Sequence, residues 1–102
     1  MKSRIFTVLV LAATACNRPQ KSCTFDNNGR HFCIEWRGYT SEELSSMICM
    51  GGKIEDGREC SRKGATGYCV VKDEKKHENR DFSYEKTDGA TCSSPNVWVP
   101  LR

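Results

Sequence analysis

The chain has 102 residues, a formal net charge of +3, seven cysteines and 37% hydrophobic residues. That length allows one small domain with a limited core, and so slight a charge gives no basis for nucleic-acid binding. An odd cysteine count in so short a chain is the first feature to explain.

Residues 1–16 read MKSRIFTVLVLAATAC. Lys2 and Arg4 form a short basic start, the stretch from Ile5 to Ala13 carries no charge, and Ala13, Thr14 and Ala15 lead into Cys16. A basic start, an apolar run and small residues at the exit describe an export signal over 1–15, formed as a signal helix. The run falls short of the about 20 residues that cross a bilayer. Ala13-Thr14-Ala15-Cys16 resembles the bacterial lipobox, whose cysteine sulfur takes a lipid and becomes the new N-terminus; Ala13 stands where that motif usually has Leu. The same residues also make an A-x-A site for ordinary signal peptidase, which leaves Cys16 as a free thiol.

Lipid on Cys16 resolves the odd count. Cys23, Cys33, Cys49, Cys60, Cys69 and Cys92 remain, an even set that reads as a framework of three disulfides with fifteen possible connectivities. Cleavage leaves 102 − 15 = 87 residues, and loss of Lys2 and Arg4 brings the charge to 14 − 13 = +1. Each disulfide contributes about 2–5 kcal/mol, so three rival the ~5–15 kcal/mol net stability of a whole small domain.

Residues 16–22 read as a polar tether containing Pro19, and 23–102 as the disulfide-stabilised domain. Asn17 follows the lipidated cysteine, which favours the outer membrane in a Gram-negative cell, where Asp at that position retains lipoproteins in the inner membrane. The stretch Cys23 to Arg37 predicts a hairpin: Asn28-Gly29 suits a tight two-residue turn, and Phe32, Ile34 and Trp36 alternate with Cys33, Glu35 and Arg37. Thr40 and Glu43 form a capping box opening the main helix, with Leu44, Met47 and Ile48 as its apolar stripe and Gly51-Gly52 as its end. Lys53 to Gly67 reads as loop. The run Tyr68 to Val71 is a strand expected to pair with the Cys33 strand, and Asp73 to Asp81 is a solvated charged turn. Phe82 and Tyr84 begin another strand, Glu85 to Cys92 has room for a helical turn weakened by Gly89, and Val97-Trp98-Val99 forms an extended tail that clips onto the domain. The expected fold is α+β: a small disulfide-rich domain with a short antiparallel sheet and one main helix after the signal helix. The expected pairings are Cys33–Cys69 across adjacent strands, Cys49–Cys60 from helix end to loop, and Cys23–Cys92 joining the termini.

The stretches Cys33-Ile34-Glu35-Trp36-Arg37-Gly38, Cys49-Met50-Gly51-Gly52 and Gly67-Tyr68-Cys69, framed by Cys23, Cys60 and Cys92, are similar to six-cysteine modules of small bacterial lipoproteins and secreted proteins. The resemblance covers Cys23 to Cys92. It implies a disulfide-rich fold and carries no catalytic residues.

Chemistry beyond the disulfides is sparse. No C-x-x-C knuckle occurs, and His31 and His77 stand apart, so neither a metal site nor a cofactor is expected. His31 shares a strand face with Cys33, but a half-cystine is no nucleophile. Glu42 and Glu43 suit a helix N-terminus rather than acid–base work. Trp36 belongs to the core with Phe32 and Ile34; Tyr39 and Trp98 are candidates for an aromatic recognition patch. The expected protein is no enzyme but a lipid-anchored bacterial envelope protein with a structural or binding role, its partner a membrane and no nucleic acid. The alternative is a soluble secreted effector, such as a protease inhibitor or toxin-like protein, with 53–67 as its bait loop.

Overall fold

A computed structural model describes residues 18–85 and 92–101. The expected signal helix, Cys16 and most of the expected helical turn before Cys92 lie outside the described residues.

Asn28 (φ 53°) and Gly29 (φ 78°) both take the left-handed conformation that a two-residue hairpin turn needs. They join β1 (Lys21–Asn27) to β2 (Arg30–Arg37), with Cys23 opposite Ile34 and Phe25 opposite Phe32. Side chains alternate across the sheet. Cys23, Phe25, Phe32, Ile34 and Trp36 therefore share what we term the front face, while Ser22, Thr24, Cys33, Glu35 and Arg37 share the back.

The domain is mainly β, which corrects the α+β expectation. Six antiparallel strands run in the order β3-β1-β2-β5-β4-β6, with β3 at Lys53–Asp56, β4 at Gly67–Lys72, β5 at Glu78–Ser83 and β6 at Val97–Pro100. Two strands come from segments without strand-like patterning. β3 lies in the stretch read as loop, and β5 occupies the end of the charged run. The charges of β5 are matched across the strands: Arg80 stands opposite Glu35, and Glu78 opposite Arg37. β5 thus inserts between β2 and β4, which were expected to be neighbours. The extended tail clips onto the domain as expected, and the structure adds where: it forms β6 along β4.

The main helix shrinks to α1, Ser41–Ser45. Its start follows the sequence: Thr40 Oγ1 accepts from Glu43 N at 3.1 Å, and Thr40 N donates to Glu43 Oε1 at 2.8 Å. Its end does not. The hydroxyls of Ser45 and Ser46 donate back to the carbonyls of Glu42 and Glu43, local bonds that compete with continued helix. Beyond them Met47 still reaches the core, but Ile48 is 83% exposed.

Both sheet faces carry a core. In front, Cys23, Trp36 and Cys49 are buried with Phe25, Ile34, Leu44, Met47 and Ile54 packed against them. Behind, Cys33, Cys60 and Phe82 are buried against Tyr68, Tyr84 and Leu101. Gly52 and Gly67 allow the close approaches this needs. A Cβ on Gly52 would collide with Thr24 O, and one on Gly67 with the Trp98 ring that lies across it.

The disulfides are Cys23–Cys49, Cys33–Cys60 and Cys69–Cys92, with Cα atoms 5.6, 5.9 and 5.7 Å apart. None of the three expected pairings forms. Cys33 faces the back and Cys69 the front, with β5 between their strands. Cys49 and Cys60 belong to opposite cores. Cys23 and Cys92 are separated by the three strand spacings from β1 to β4, about 14 Å, well beyond disulfide reach.

Candidate functional site

The back face is organised by Glu35, which is 0% exposed. Its Oε2 accepts from the Cys60 amide and from Arg62 Nη1, both at 2.7 Å, while Oε1 lies 2.8 Å from Arg37 Nη1. Arg62 also donates to Cys60 O, and its guanidinium covers the Phe82 ring at 4.5 Å. The loop around Cys60 is thereby fixed to β2 by a disulfide and a charge together. This arrangement leaves no open coordination or substrate position at Glu35; it is a structural centre.

In front, His77 connects the β4–β5 turn to α1. Nδ1 is 2.8 Å from Asp73 Oδ2, and Nε2 is 3.0 Å from both Glu43 oxygens. The ring stacks on Tyr39 at 4.1 Å and 1°, and the Tyr39 hydroxyl donates to Asn79 Oδ1. Gln20 clasps the Tyr39 backbone from the other side, donating to its carbonyl and accepting from its amide. Burial disfavours charge on His77, but hydrogen bonds and charge from Asp73 and Glu43 outweigh it, so its pKa lies above the usual value. The bond from Thr40 and then that from His77 hold Glu43 low. Asp73 ends low because bonds from the His77 amide, its ring and the Lys75 amide exceed the opposing burial effect. With both ring nitrogens engaged by carboxylates, His77 braces the segment over the sheet rather than presenting a base to a substrate.

That segment covers only the β3-β1-β2 half of the front face. The other half carries a groove of about 340 Å³. Its floor is Asp81 on β5, flanked in register by Ile34 and Cys69. The Cys69–Cys92 disulfide, Val71 and Trp98 line it, and Phe32 bounds it, with Arg30 stacked 5.3 Å over that ring. Burial among these groups raises the Asp81 pKa although its side chain stays open to solvent, and no counter-charge among the described residues offsets the effect.

The structure thus distributes the sequence-derived candidates. The six framework cysteines are all paired, and Cys16 lies outside the described residues. His31 pairs with Asp26 at 3.0 Å and meets the edge of Tyr84. Trp36 is core, whereas Tyr39 and Trp98 sit in separate places, the brace and the groove, and form no common patch. Among the described residues no three His, Cys, Asp or Glu side chains could hold a metal, and no helix is long and apolar enough to cross a membrane. Sequence reading missed Glu35, Asp81 and the His77 brace. The opposite charges at Glu35 and Arg37, one strand repeat apart beside Cys33, are the local signal for the first; the others depend on strand register. No family model matches this chain, and no curated protein or solved structure is significantly similar to it.

Removing the Glu35 carboxylate takes away the acceptor of the buried Cys60 amide and the anion that Arg37 and Arg62 share. Glu35→Ala should lower unfolding free energy in denaturant titrations by about 3–5 kcal/mol. Arg62→Ala, at a side chain 40% exposed, should cost about 1 kcal/mol or less. The brace makes a separate prediction. A raised His77 pKa gives stability that is full below the unfolded value of 6.5 and is lost as pH rises through the folded one. The lowered pKa values of Asp73 and Glu43 give stability present above their unfolded values, 3.8 and 4.5, and lost as pH falls through the folded ones. Thermal midpoints should therefore peak between about pH 4.5 and 6.5, and His77→Gln should flatten the decline on the alkaline side. An unchanged alkaline slope in that variant would contradict the brace.

Proposed function

We propose that this chain is an exported binding module, held at a bacterial envelope membrane by lipid on Cys16, with no catalytic role. The observation that carries the reading is the closed pairing of Cys23–Cys49, Cys33–Cys60 and Cys69–Cys92. Those bonds take six of seven cysteines and leave Cys16 with no framework partner. Its place directly after Ala13-Thr14-Ala15 gives that sulfur the chemical role a lipobox assigns. Three disulfides favour an oxidising compartment. Acyl chains add ~0.8 kcal/mol per buried CH₂, and two or more hold a domain stably on a bilayer. Asn17 points to the outer membrane in a Gram-negative host.

Two features favour binding over catalysis: the buried Glu35 is committed to Arg37 and Arg62, and the front-face groove offers one carboxylate, Asp81, beside a tryptophan. Metabolic labelling with a palmitate analogue in a bacterial host tests the anchor. Wild type should take the label, Cys16→Ser should not, and the mature N-terminus should carry a diacylglyceryl mass. An unmodified Cys16 in culture medium would instead establish the soluble secreted effector.

A further inference from the structure

We propose that the front-face groove binds the cationic side chain of a peptide, a lysine ammonium or an arginine guanidinium, between the Asp81 carboxylate and the indole of Trp98. This deepens the binding role proposed above and is independent of the lipid on Cys16.

The first argument is a contrast between the two faces. On the back, each β2 or β5 carboxylate stands opposite a cation: Glu35 across from Arg80 and touching Arg37 and Arg62, Glu78 across from Arg37 and 2.7 Å from Arg80. On the front, Asp81 stands between Ile34 and Cys69. Among the described residues no ion pair or hydrogen bond engages its carboxylate, and crowding by its surroundings acts on it without a balancing positive charge. A carboxylate in the middle of a sheet, recessed yet open, favours a cation from outside.

The second argument is geometric. Trp98, Cys69 and Asp81 occupy one register row on β6, β4 and β5 and face the same way. Trp98 and Asp81 are two strand spacings apart, about 10 Å between backbones, with the apolar Cys69–Cys92 bridge between them. One side of the indole rests on Gly67, which fixes the ring and leaves the groove side for a ligand. A tryptophan face paired with a carboxylate is the chemistry that selects organic cations. The volume, about 340 Å³, is at the small end of ligand sites and accommodates a side chain rather than a cofactor. Arg30 also bounds the groove, but its guanidinium lies over the Phe32 ring, two residues along β2 from the Ile34 that stands opposite Asp81, and makes no ion pair with Asp81.

The test is a ¹H–¹⁵N titration of the full chain in detergent micelles with N-acetyl-lysine methylamide, N-acetyl-arginine methylamide and the uncharged isostere N-acetyl-norleucine methylamide. The two cations should shift the Cys69 and Asp81 amides and the Trp98 indole N–H saturably, with a Kd on the order of 1 mM. The norleucine compound should not, and Asp81→Asn should weaken the cations about tenfold. Lowering the pH until Asp81 is protonated should release them from the unmodified chain, which covers the case of a misfolded variant. Absence of saturable shifts, an equal response to norleucine, or undiminished binding by Asp81→Asn each overturns the assignment. Labelling of Cys16 reports separately on the anchor.

Discussion

Everything in this domain depends on how a thin sheet is made to bury both faces, and the interaction that achieves it is the Glu35 carboxylate under the Cys60 loop. A charge with no exposure must be matched where it lies, and here a backbone amide and two arginines match it. Because Cys60 is also bonded to Cys33, two residues along the same strand face, covalent bond and ion cluster fix the same loop. Tyr68, Phe82 and Tyr84 gain their cover from this arrangement. Without it the back of the sheet would face solvent.

The front face is handled differently. A segment of α1 and its flanks is drawn onto the β1–β2 hairpin by Cys23–Cys49 and by the Tyr39–His77 stack, and it stops at β5. Among the described residues, the remaining half of that face carries a tryptophan, a disulfide and a carboxylate and no covering segment. Each of the three bridges closes a loop of 23 to 27 residues, worth roughly 3.5 kcal/mol in the chain-entropy account. A framework of that strength tolerates leaving half a face uncovered by the described residues.

Local chemistry in the sequence was legible and pairing was not. The Asn28-Gly29 turn, the alternation from Phe32 to Arg37, the Thr40–Glu43 box and the Val97–Val99 tail all act through neighbouring residues, and all are in place. β5 was hidden because Glu78, Asn79, Arg80 and Asp81 look solvated until Glu35 and Arg37 stand opposite them. The helix was overread because its apolar stripe stops at Met47, where serine hydroxyls turn the chain. The disulfides were misassigned because a cysteine's partner depends on which sheet face it occupies, and the unseen β5 placed Cys33 and Cys69 on non-adjacent strands. The groove was illegible for the same reason: Trp98, Cys69 and Asp81 meet only through the register of three strands.

The connectivity of the six framework cysteines is therefore the most direct measure of this architecture. Peptide mapping of the non-reduced protein should recover Cys23–Cys49, Cys33–Cys60 and Cys69–Cys92, with Cys16 in none of them. Recovery of a Cys33–Cys69 peptide would contradict the two-faced sheet, and Cys16 bonded to any framework cysteine would contradict the assignment of Cys16 to the lipid.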